Sequence, residues 1–125
     1  MEKKIKINSS CHCGALQLEI KAEAPSVLTS CNCSICYKYG SLMAYFNPSE
    51  VKVVSILESV DEYLWGDKSL SFIRCQVCGC YSHWKSLDPN QVKRMGVNAR
   101  LFTNIEIDKI PIRHFDSADT WKFID

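Results

Sequence analysis

"CHCGALQLEIKA", residues 11–22, joins two kinds of information in one short run. Leu16, Leu18 and Ile20 alternate with Gln17, Glu19 and Lys21, the period of two expected of a half-buried β-strand. Just ahead of it stand two cysteines one residue apart, Cys11 and Cys13, followed by Gly14. Residues two apart in an extended strand lie about 6.6 Å apart along the chain. Two sulfurs on one tetrahedral zinc lie about 3.8 Å apart. The pair therefore shares a metal only if the backbone turns there, and Gly14 supplies the freedom to turn.

Working outward, "KIKIN" places Ile5 and Ile7 on one face, and further β-like runs follow at 41–46, 51–57, 69–75, 80–87 and 105–115. Asn47-Pro48, Gly66-Asp67 and Asp88-Pro89-Asn90 separate them as turns, and "KSLDPNQVKR" (85–94) reads as a solvated loop. No window holds a 3.6-residue period over three turns. Short helical turns are expected only at Ser34–Gly40 and around Asn98–Phe102. The expected class is mainly β, built of short strands, with residues 1–125 as a single domain.

Lys and Arg total 15 against 14 Asp and Glu, a net charge of +1, so no basic field points to nucleic acid or an anionic membrane surface. The N-terminal "MEKKIKINSS" has no apolar segment of a signal peptide, and no run approaches the roughly 20 apolar residues of a membrane span. The expectation is a soluble, cytoplasmic protein. In that reducing setting eight cysteines are metal ligands or free thiols rather than a disulfide framework.

The cysteines fall in three sets: Cys11/Cys13, Cys31/Cys33/Cys36 and Cys75/Cys78/Cys80. A C-x-C and a distant C-x-x-C, each beside a glycine, make a full tetrahedral set from Cys11, Cys13, Cys75 and Cys78. Such a closed zinc site would pin the first hairpin to a later strand and add folding free energy to a small core. The triplet Cys31, Cys33 and Cys36 then holds a second, more labile zinc with one position open, the arrangement of a catalytic ion. The competing reading has Cys80 close this second set, which makes both zincs structural. A redox role for Cys33-x-x-Cys36 or Cys75-x-x-Cys78 lacks the βαβ context that such motifs require.

With "CHCG" at 11–14, "SCNCSICYKYGSLMAYF" at 30–46, "YLWGDKSLSFIRCQVCGCYSHW" at 63–84, and "MGVNARLF" with "IRHFDSADTWKFID" beyond, the chain resembles the glutathione-dependent formaldehyde-activating enzyme family, which includes the centromere protein V domain. The resemblance implies a small two-zinc β-tent, a structural zinc on Cys11, Cys13, Cys75 and Cys78, and a catalytic zinc on Cys31, Cys33 and Cys36. It also implies carbon–sulfur lyase chemistry, the joining of glutathione to formaldehyde as S-hydroxymethylglutathione or the reverse. Many relatives carry two arginines after the third cysteine of the triplet and Thr or Ser at the position of Cys80; this chain has Tyr37-Lys38 and Cys80. A point charge and a phenol replace two cationic forks, which favours a glutathione-like small thiol over glutathione itself.

Three thiolates leave Zn²⁺ with a net charge of −1, so thiol exchange suits the open centre better than water activation. A thiolate there can add to an aldehyde, and Tyr37, Lys38 and His83 are the expected donors to the oxygen that gains charge. The alternative class is a non-catalytic zinc module that binds a protein partner on its β surface. His12 is read as solvent-facing and His114 as a residue at the surface or core edge. Most aromatics are read as core, with Trp65 and Trp84 expected at the entrance to the metal and Arg94, Asn98 and Arg100 as pocket candidates. An uncovered sheet edge leaves room for a homo-oligomer.

Overall fold

The computed structural model describes residues 3–55, 60–66 and 68–125. Positions 56 and 57 of the expected strand 51–57, and Asp67 of the expected turn, lie outside the described residues. Strands β1 (Lys4–Ser10) and β2 (Leu16–Glu23) form the expected hairpin, in a register that sets Ile7 opposite Ile20. With β5 (Val51–Ser55), β2 completes a three-stranded antiparallel sheet in the order β1-β2-β5. The alternation does what it predicts: Leu16, Leu18, Ile20 and Ala22 are buried, while Gln17 and Lys21 face solvent.

The second sheet, of eight strands among the described residues, combines β3 (Leu28–Cys31), β4 (Met43–Phe46), β6 (Asp61–Tyr63) and β7 (Leu70–Arg74) with β8 (Tyr81–Ser86), β9 (Met95–Asn98), β10 (Ile112–Asp116) and β11 (Lys122–Phe123). Its order is β11-β10-β3-β4-β9-β8-β7-β6. All its pairings are antiparallel except β10 with β3, which run parallel and set Phe115 beside Cys31. Ile7, Leu18, Leu28 and Val97, all fully buried, join the two sheets in one core. Each contributes roughly 1.5–3 kcal/mol of apolar burial.

Helix α1 (Ser34–Tyr39) and a 3-10 turn at Ala99–Leu101 occupy the two places expected for helical turns. The expected strand over 105–115 is corrected. A 3-10 turn occupies Ile107–Lys109, and the strand begins only at Ile112. Pro111 has no N–H to give to a ladder, and its carbonyl accepts from Leu28 N at 2.9 Å, where the pairing with β3 starts. Ile105, Ile107 and Ile110 pack on the core from this turn rather than from a strand.

Candidate functional site

Two glycines make the first thiol group. Gly14 (φ +83°) and Gly79 (φ +80°) both take the left-handed conformation that only glycine adopts freely. Gly14 N donates to Cys11 O at 3.1 Å, and Gly79 N to Cys75 O at 2.9 Å, so each chain folds back on its own cysteines. Cys11, Cys13, Cys75 and Cys78 come together as a result, with Cys11 and Cys13 sulfurs 3.7 Å apart and Cys13 and Cys75 sulfurs 3.6 Å apart. Those separations match the roughly 3.8 Å between sulfurs on one tetrahedral ion. Backbone N–H groups point at the sulfurs: Leu16 N at 3.3 Å from Cys11, and Val77 N at 3.4 Å from Cys75. The N–H groups of Cys80 and Cys13 draw the Cys78 thiol down to about 5, toward the thiolate that a metal requires.

Cys80 belongs to this end of the molecule. It packs with Cys78 against Cys11, Leu16, Ile73 and Cys75, and its carbonyl accepts from Cys75 N at 2.9 Å. The reading in which Cys80 closes the triplet is corrected by this placement.

The second group is built where β3 runs into α1. Cys33 caps the helix with its sulfur, which accepts from Cys36 N at 3.5 Å, and Gly40 (φ +65°) ends it by donating to the carbonyls of Cys36 and Tyr37. A turn of helix thus brings Cys36 back over Cys33, and the sulfurs of Cys31, Cys33 and Cys36 lie within 4.8 Å of one another. Hydrogen bonds from Cys33, Cys36 and Ser117 hold the Cys31 thiol far below its ordinary range, while the same coupling to Cys31 pushes Cys36 up. Ser117 Oγ sits 3.0 Å from Cys31 Sγ. Asn32 anchors that serine loop by accepting from Ala118 N at 3.0 Å and donating to Asp116 Oδ1 at 2.7 Å.

The triplet lines a cavity of about 540 Å³, together with Trp65, Trp84 and Arg94 among others. Arg94 lies over the ring of Tyr45, with its Cζ 3.9 Å from the centroid. Burial holds the Tyr45 phenol at about 12 despite that cation, so it keeps its proton at neutral pH.

Three expected donors stand elsewhere. Tyr37 and Lys38, one and two residues past Cys36, are turned outward by α1; both are exposed and neither lines the cavity. His83 is buried on β8 opposite Ile73, which packs against the four-cysteine group, whereas the next residue, Trp84, lines the cavity. Its ring lies 2.9 Å from Ser82 Oγ, and burial lowers it to about 4. Of the pocket candidates, Arg94 lines the cavity; Asn98 caps the 3-10 turn after β9, and Arg100 donates to Gly40 O at 2.8 Å. The sequence reading missed Ser117 and Tyr45 as site groups, and neither carries a spacing signal.

The sequence pattern of the glutathione-dependent formaldehyde-activating enzymes matches residues 6–113. The chain belongs to this family. Both thiol groups and α1 fall inside the matched stretch, but Ser117 and Trp121 lie beyond it. A structural-genomics crystal structure of a Rhodobacter sphaeroides protein is similar, with a TM-score of 0.71 and 25% identity, covering 84% of this chain and 98% of that one. The glutathione-dependent formaldehyde-activating family thus accounts for most of the chain. No helix among the described residues is long and apolar enough to cross a membrane.

Proposed function

We propose that this protein adds a small thiol to an aldehyde, or runs the reverse, as a zinc-dependent carbon–sulfur lyase working at Cys31, Cys33 and Cys36. One observation carries the reading: three mutually close thiols open on a cavity, and among the described His, Cys, Asp and Glu residues no fourth joins them. When bound there, zinc supplies a position that takes a thiol as thiolate at neutral pH. A second zinc on Cys11, Cys13, Cys75 and Cys78 is closed and structural.

The chain's own groups do the rest. The Ser117 hydroxyl donates to Cys31 and tempers the charge on that sulfur. Tyr45, which keeps its proton, presents a donor to the cavity, where the aldehyde oxygen gains negative charge as the carbon–sulfur bond forms. The aromatic walls exclude water and strengthen those interactions. The chemistry needs reduced thiols, which places the working protein, as one domain, in a reducing compartment such as the cytoplasm.

The direct test is a Cys33→Ser/Cys36→Ser protein, assayed with a small thiol and formaldehyde. The expected result is a folded protein with about one zinc instead of about two, and adduct formation reduced by about tenfold or more. Undiminished adduct formation would leave a metal module with structural ions only. A milder change probes the hydrogen bond to Cys31. Ser117→Ala should weaken zinc retention at the triplet by about tenfold in competition with a chelator, as removal of groups that orient metal ligands does. An unchanged affinity would exclude that role for Ser117.

A further inference from the structure

Resting on the thiol–aldehyde reading above, we propose that the thiol carries an aromatic or branched apolar body and a single carboxylate, so that glutathione itself is a poor substrate. The cavity is the reason. At about 540 Å³ it has room for a body well beyond a thiol group, within the size range of small-molecule sites. Ile35, Leu70, Phe72 and Trp84 line it from one packed cluster, Trp121 and Phe123 line it where both pack on Phe115, and Trp65 adds a further ring. Among the described lining residues there is no Asp, Glu, His or Lys, and the charged side chain is Arg94.

Arg94 is set up for one partner. Its guanidinium carbon lies 3.9 Å from the centroid of the Tyr45 ring, and a planar fork seated over a ring suits one carboxylate taken through two parallel hydrogen bonds. Trp121 is equally deliberate. It is 70% exposed, yet it is held at φ +60°, a conformation that a bulky residue keeps only when its surroundings enforce it. Trp121 N donates to Asp116 O at 2.6 Å, and Asp116 also accepts from Thr120 Oγ1 at 2.9 Å and from Asn32. The network spends a strained backbone to hold an indole at the cavity wall.

Glutathione would bring an ammonium, peptide groups and more than one carboxylate against these rings, where most would find no partner and still lose water. An aromatic body instead stacks on the walls. In the reaction the thiol sulfur bonds to the aldehyde carbon, the C=O π pair moves to oxygen, and the thiol proton ends there; nothing is oxidised or reduced.

All three tryptophans, Trp65, Trp84 and Trp121, line this cavity, so intrinsic fluorescence reports its occupancy without reference to turnover. The zinc-loaded protein is titrated with glutathione, 2-sulfanyl-3-phenylpropanoate and 2-phenylethanethiol, and adducts with formaldehyde are followed in parallel. The aromatic carboxylate is expected to bind at least about tenfold tighter than glutathione. Arg94→Gln should cost it about tenfold while leaving 2-phenylethanethiol unchanged, and Trp121→Ala should weaken both aromatic thiols. If glutathione binds as tightly as the aromatic carboxylate and forms adduct, the substrate inference is overturned and the thiol–aldehyde function stands. If no thiol binds or reacts, both fall.

Discussion

A Cys75→Ser protein is expected to lose its cooperative thermal transition, whereas Cys80→Ser keeps it. Cys75 is fully buried, and its sulfur lies 3.6 Å from that of Cys13, so it is the link between the β1–β2 turn and the β7–β8 turn. Around these thiols the two turns share a small apolar cluster that includes Ala15, Leu16 and Ile73. Structural zinc supplies on the order of 10 kcal/mol in small zinc-finger peptides. A domain is stable by only about 5–15 kcal/mol, so losing that ion with one of its four ligands removes a large part of the total. Cys80 stands outside the four-thiol set, and its replacement should cost about 0.5 kcal/mol or less. Denaturant unfolding of both variants, with and without a chelator, checks this. Equal losses would sink the assignment of ligands.

The second large effect has nothing to do with metal. Gly96 sits on β9 between Tyr45 of β4 and Trp84 of β8, and the indole of Trp84 lies across it. A Cβ at that position would meet Trp84 Nε1 at 2.2 Å, Cε2 at 2.4 Å and Cδ1 at 2.9 Å. Carbon atoms in contact sit about 3.5–4.0 Å apart, so the ring would have to move by more than an ångström. Met43, Phe72 and Tyr81 pack around it, so such a shift would push the indole out of that cluster toward the cavity. Gly96→Ala should therefore destabilise the protein by about 3 kcal/mol and shift tryptophan emission. Trp84→Leu, which removes the ring and with it the clashing atoms, should cost less in the Gly96→Ala protein than in the wild type. A Gly96→Ala protein with wild-type stability would show that the indole does not lie there.

How much of this was written legibly in the chain depends on distance along it. The β1–β2 hairpin was, because Leu16, Leu18 and Ile20 repeat every second residue and pair with a neighbouring strand. The thiol groups were as well, since cysteine spacing and glycine turns are local signals. Strand β9 was not: all four of its residues are buried, so "MGVN" has no alternation to read. Strands β3, β6 and β11 are four residues or fewer and carry no period either. Tyr37, Lys38 and His83 were chosen for nearness in sequence, and geometry defeats that rule. A helix rotates each successive residue by about 100°, which turns positions 37 and 38 away from Cys36. A strand alternates faces, which separates His83 from Trp84. Ser117 and Trp121 reach the site through the parallel pairing of β10 with β3 and the Asn32 hydrogen bonds to Asp116 and Ala118, and nothing local announces that pairing.

That pairing also imposes an order of events at the ribosome. Cys31 and Ser117 are 86 residues apart. At about 5–20 residues per second, roughly 4–17 s pass between their syntheses. During that interval the three thiols of the triplet can already meet, since a single helical turn gathers them, but the rim that will hold Trp121 and Phe123 does not yet exist. A metal ion arriving then would find an open shelf instead of a pocket, so loading can precede closure of the cavity.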